Sequence, residues 1–173
     1  MPCLECGNPE TCRAHIHPGA LGKDILKESS RKTLSLLAPN RMDNSIQSAL
    51  FDDNILCSDC DGKLGRYDDH AIEVTRLLGT AHEVIDGKAD RFTVTRGSGI
   101  NHEQLALFGA AVAWRTSVSR YRELSEFTLG NNEGWFRAMI FRRNTDIPTV
   151  LVARLIARVG FLTRRGRGRC RIP

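Results

Sequence analysis

The chain has 173 residues, of which 41% are hydrophobic and 26% charged. That composition excludes collagen-like, coiled-coil and wholly disordered classes, and the length suits one ordinary domain or a small domain with a helical extension. The net charge of +5 resides in the last eleven residues: Thr163–Pro173 hold five Arg and no acid, leaving 20 Lys and Arg against 20 Asp and Glu elsewhere. The basic character is therefore a basic tail on a neutral body, not a nucleic-acid face spread over the fold.

No run of about 18 uncharged apolar residues exists, so no membrane span is expected. The longest candidate, 150–162, is interrupted by Arg154 and Arg158. The start, MPCLECGNPE, lacks the basic residues and apolar run of a secretory signal. The expectation is a cytoplasmic, reducing location.

In chain order, the first feature is Cys3-Leu4-Glu5-Cys6-Gly7, matched later by Cys57-Ser58-Asp59-Cys60-Asp61-Gly62. Two C-x-x-C pairs in a reducing compartment favour thiolate metal ligation over disulfides. Two intervening residues fold the backbone so that both sulfurs face one ion, and four thiolates complete a closed tetrahedral Zn²⁺ site. Cys3, Cys6, Cys57 and Cys60 are thus the expected structural zinc ligands. Free thiols or a redox pair are the alternative. Cys12 is a less well-spaced substitute ligand, and Cys170, in the tail, reads as an unpaired thiol.

Between the knuckles, 11–18 predicts a short strand carrying His15 and His17 and ended by Pro18. A short helix over 20–28 follows, with Leu21, Ile25 and Leu26 on one face. The stretch 29–54 is polar and irregular, a loop or a hairpin leading into Ile55-Leu56. A helix is expected over 64–78, with Leu64, Ala71, Val74, Leu77 and Leu78 inward. Asp68, Asp69 and His70 on it read as a solvated face favoured by the helix dipole. The alternation in Arg91–Arg96 predicts a strand. The strongest helical pattern is 102–127, capped by Asn101, with Leu105, Phe108, Ala111, Val112, Arg115 and Val118 at helical spacing. Further helices are expected over 133–142 and 150–161. Trp114 with Arg115, and Trp135 with Phe136, read as core residues. The Gly-interrupted Arg tail is low-complexity and can bind phosphate backbones non-specifically.

The expected fold is α+β: a small zinc module of a short hairpin plus helix over 1–79, a mainly helical region with one strand over 80–162, and a flexible Arg-rich tail over 163–173. Cys3-x-x-Cys6, then Ala14-His15-Ile16-His17-Pro18, then Leu56-Cys57-x-x-Cys60-Asp61 resembles the zinc-containing, treble-clef (ββα-metal) HNH nuclease group. It looks closest to the variant with a Ser-His-Ile-Ile-Pro strand found in uncharacterised bacterial and phage proteins. The likeness covers about residues 1–70.

The resemblance implies that His15 is the general base of a Mg²⁺- or Mn²⁺-dependent DNA endonuclease. The family's metal ligands just before the His and just after the second knuckle fall on Ala14 and Asp61. Asp61 can ligate and Ala14 cannot, so His17 is the candidate replacement. The family's middle Asn falls on Asp52. The candidate catalytic set is therefore His15, His17 and Asp61.

The alternative is a non-catalytic zinc module that binds nucleic acid or a host nucleic-acid-processing protein complex, such as a phage-encoded regulator or inhibitor of a host defence system. The tail alone supports a third reading, a relic of a longer protein.

Overall fold

The computed structural model describes residues 1–27, 34–36, 44–46, 49–80, 84–86, 91–93, 100–121, 124–125 and 127–142. The expected helix over 150–161, the tail and Cys170 lie outside them. Among the described residues the elements are β1 (Ala14–His15), α1 (Gly19–Lys27), β2 (Leu34–Leu36), β3 (Asn44–Ile46), β4 (Phe51–Asp52), α2 (Ser58–Thr80), β5 (Val84–Asp86), β6 (Arg91–Thr93), α3 (His102–Val118), a 3₁₀ turn (Gly130–Asn132) and α4 (Glu133–Arg142). Helices dominate, joined by three antiparallel strand pairs, β1–β4, β2–β3 and β5–β6. None of the described helices is long and apolar enough to cross a membrane.

The N-terminal part is stitched together by backbone hydrogen bonds. Leu4 N–H donates to Ile55 C=O and Cys12 N–H to Leu56 C=O, at 3.0 and 2.8 Å. In the β1–β4 ladder Ala14 faces Asp52 and His15 faces Phe51. Ile16 N–H adds one more bond to Leu50 C=O at 2.9 Å. The segment expected to be a loop or a hairpin therefore contains paired strands, β2 with β3, and then β4.

Three expectations need correction. The helix after the second knuckle starts at Ser58, not at 64, with Asp59 and Asp61 in its first turn, where carboxylates favour the dipole. Leu77, expected inside, is exposed. The helix expected over 102–127 stops at Val118. Its stop has a clear cause: the Asp52 carboxylate takes hydrogen bonds from Ser119 Oγ and Arg120 N–H, at 3.1 and 2.8 Å, and pulls the chain out of helical register. The Asn101 cap is present as expected, with its side chain accepting from Gln104 N–H at 3.0 Å.

One apolar cluster joins the knuckles to the helices: Cys3, Ile55, Leu56 and Cys60 pack with Leu64, Tyr67 and Ala71 of α2, Leu107, Phe108 and Trp114 of α3, and Phe136, Met139 and Ile140 of α4. Trp114 meets Phe141 edge-on, with centroids 5.6 Å apart, an arrangement favoured by the ring quadrupoles. Polar links fasten the helices at their margins. Tyr67 Oη donates to Ile140 C=O, and His70 Nε2 accepts from Asn101 N–H. Arg137 donates to both the side chain and the carbonyl of Glu5, between the first two cysteines.

Candidate metal centre and the adjoining polar cluster

The first knuckle turns at Gly7, whose φ of 76° lies in the left-handed region, a conformation that glycine adopts without steric cost. Gly7 N–H donates to Cys3 C=O at 2.9 Å, and Cys3 N–H to Asn8 C=O at 2.7 Å. The second knuckle has its first cysteine just before α2 and its second inside the first turn. The bond from Asp61 N–H to Cys57 C=O fixes that geometry.

These two turns bring the ligand atoms of Cys3, Cys6, Cys57 and Cys60 within 4.8 Å of one another. The Sγ atoms of Cys6 and Cys57 are 3.6 Å apart. Tetrahedral Zn²⁺ with Zn–S bonds of about 2.3 Å requires sulfur–sulfur distances of about 3.8 Å, so the quartet matches in number, donor type and spacing. Three of the four are buried and Cys6 is exposed. No sulfur of the quartet is in a disulfide.

The electrostatics favour a shared negative charge. Burial pushes the Cys3 thiol up, but backbone N–H groups of Cys6, Cys57 and Glu5 outweigh it and bring its pKa down to about 6. Burial and the neighbouring sulfurs push Cys60 up instead. Four thiols held this closely cannot all ionise without a cation, which a bound metal supplies. Cys12 is half-buried and stands outside the quartet. Burial, then the charge of Asp61, raises its thiol pKa.

A second cluster adjoins the centre. His15 is exposed on β1, and its Nε2 lies 3.6 Å from where a Cβ on Gly19 would stand. His17 does not share a strand with it. β1 ends at His15, because the chain bends before Pro18 and enters α1. The charge of His15 nevertheless reaches His17. Burial holds His17 below the ordinary histidine pKa of 6.5; Arg115 and His15 act the same way, and Asp68 opposes them. Asp61 is raised by burial and by Asp68, and lowered by Arg115 and His15. His15, His17 and Asp61 thus fall within one electrostatic neighbourhood. Among the described residues, however, the four cysteines are the one group of three or more His, Cys, Asp or Glu able to hold a metal.

The pairing of two members of this neighbourhood escaped sequence reasoning. Arg115 is in the core as expected, but Asp68, expected on a solvated face, turns inward and forms a bidentate ion pair with it, with N···O distances of 3.0 and 2.7 Å. The signals were a cation among the apolar inward positions of α3, and an acid two helical turns after Asp61, hence on its face of α2. Asp52, which the resemblance puts in place of an Asn, is buried and turned toward Asn54, Ser119 and Arg120, where it is a structural acceptor.

No family model matches the chain, and no curated protein or solved structure matches it significantly.

Proposed function

We propose that the chain is a zinc-organised, HNH-like nuclease acting on DNA, with His15 as its general base. The observation that carries this reading is the place of His15. It is exposed, on a strand whose partner, β4, leads through Ile55-Leu56 into the second knuckle, and Asp61 lies in the first turn of the helix that follows. A knuckle, a strand pair and a second knuckle running into a helix are features a treble clef would have, here with α1, β2 and β3 inserted between the two paired strands.

In this reading the four thiolates hold zinc, and zinc holds the β1–β4 strand pair. His15 accepts a proton from a water whose oxygen attacks the phosphodiester phosphorus in line, while the 3′ or 5′ oxygen leaves. Asp61 offers a hard carboxylate and His17 a neutral imidazole; these are the residues that would hold Mg²⁺ or Mn²⁺, whose chemistry is to neutralise charge on the phosphate. Few protein donors suffice, because Mg²⁺ sites usually combine one or two carboxylates with waters and substrate phosphate.

A second reading is favoured by Ala14. It is 0% exposed and has no ligating atom, where the resemblance expects an Asp. On that reading the same zinc module binds DNA or a host nucleic-acid-processing protein without cleaving. Labelled single- and double-stranded DNA incubated with zinc-loaded protein and Mg²⁺ or Mn²⁺ separates the two. The nuclease reading expects cleavage by the wild type that His15→Ala abolishes. Intact DNA under every condition contradicts it, and binding that His15→Ala leaves unchanged supports the module.

A further inference from the structure

The outward face of the β1–β4 strand pair gathers three side chains. Ala14 points inward and is buried, so its neighbours Arg13 and His15 lie on the opposite, exposed side. Phe51 is the cross-strand partner of His15. The Arg13 guanidinium lies over the Phe51 ring, with its carbon 3.2 Å from the ring centroid.

Stacking changes what an exposed arginine can do. A free surface arginine loses much rotamer freedom on binding a ligand, whereas one laid on an aromatic face has already lost part of it. A guanidinium carbon this close to the ring centroid leaves no room for an edge-on approach, so its flat face meets the ring and the in-plane N–H fork is left unused. Among the described residues that fork donates to no acceptor. A fixed fork of donors is matched to the paired oxygens of a phosphate.

We infer that Arg13, presented by Phe51, is a phosphate-positioning residue that grips a DNA phosphodiester beside His15. The inference rests on the nucleic-acid reading above and deepens it. Arg13 holds the strand, and Phe51, the cross-strand partner of His15, acts through Arg13 by holding the fork in place.

The test uses the full zinc-loaded chain with a short fluorescein-labelled single-stranded oligonucleotide, in the His15→Ala background so that cleavage cannot interfere. Arg13→Ala is expected to weaken binding about fivefold to tenfold and to lower the salt slope by about 0.7, one phosphate contact on a single strand. Phe51→Leu removes no charge but is expected to weaken binding severalfold with the slope nearly unchanged, a pattern that loss of charge alone would not give. Arg66→Ala, which removes another exposed arginine also lying over an aromatic ring (Tyr67, 4.7 Å), controls for bulk charge. A second readout is the Arg13 side-chain Nε–Hε resonance, expected to shift as oligonucleotide is added. A shift with wild-type protein that never cleaves DNA would uphold Arg13 and overturn the nuclease reading. A resonance that stays put, or binding that Arg13→Ala leaves at wild-type level, overturns the inference whatever the cleavage result.

Discussion

Arg115 on α3 grips Asp68 on α2 through two parallel hydrogen bonds although the arginine side chain is only 1% exposed. A charge buried this deeply is tolerated only with its partner, and its Nε still lacks an acceptor among the described residues. Arg115→Met alone leaves Asp68 uncompensated and is expected to cost about 3–5 kcal/mol, as is Asp68→Leu alone. The double variant is expected to recover most of that loss. Urea denaturation of the three variants checks this; additive losses would show that the pair is not coupled.

Asp52 serves three donors from one buried carboxylate: the N–H groups of Asn54 and Arg120 and the hydroxyl of Ser119. Asp52→Ala is expected to destabilise by on the order of 3 kcal/mol and to free the end of α3. Asp52→Asn, which keeps an acceptor, is expected to lose less. Hydrogen exchange at Ser119 and Arg120 reports the local effect; unchanged protection there would refute the staple.

These two carboxylates also show where sequence reading stops. The knuckles were legible because C-x-x-C geometry is local, and α4 and β6 were legible from short-range pattern. The end of α3 was not, since Asp52 stops it across 67 residues of sequence. Nor was the start of α2: Gly62 and Gly65 weaken its helical signal, and the second knuckle sets the start instead. His15 and Asp61 could be picked out from motif position. The Asp68–Arg115 pair could not, because it depends on how α2 and α3 pack.

Gly7 has φ of 76°, and a Cβ there would meet nothing within 4 Å. Gly7→Ala therefore introduces backbone strain without a clash, with an expected cost of about 1–2 kcal/mol. Gly7→Asn is expected to cost less, since Asn tolerates the left-handed region. Zinc competition with a chromogenic chelator measures this through the first knuckle; equal affinity in all three proteins would remove the turn from the account.

Burial depresses the His17 pKa below 6.5, so the folded state takes up its proton later than the unfolded chain as pH falls. The histidine's contribution to stability is intact above 6.5 and is lost as pH falls from 6.5 toward the folded pKa. Denaturation midpoints across this window are expected to fall less steeply in His17→Phe than in the wild type. Parallel pH profiles would mean that His17 titrates normally.

The roles proposed for His15, Asp61 and Arg13 presume that one zinc ion fixes the β1–β4 strand pair between the knuckles. Elemental analysis of purified protein, read beside its circular dichroism before and after chelation, addresses that presumption directly. The expected result is about one zinc per chain, loss of helical signal on chelation and recovery on adding zinc back, because structural zinc binding is folding free energy. Cys57→Ser should reproduce the chelated state. A metal-free chain that stays folded, with Cys57→Ser indistinguishable from wild type, would contradict the account at its base.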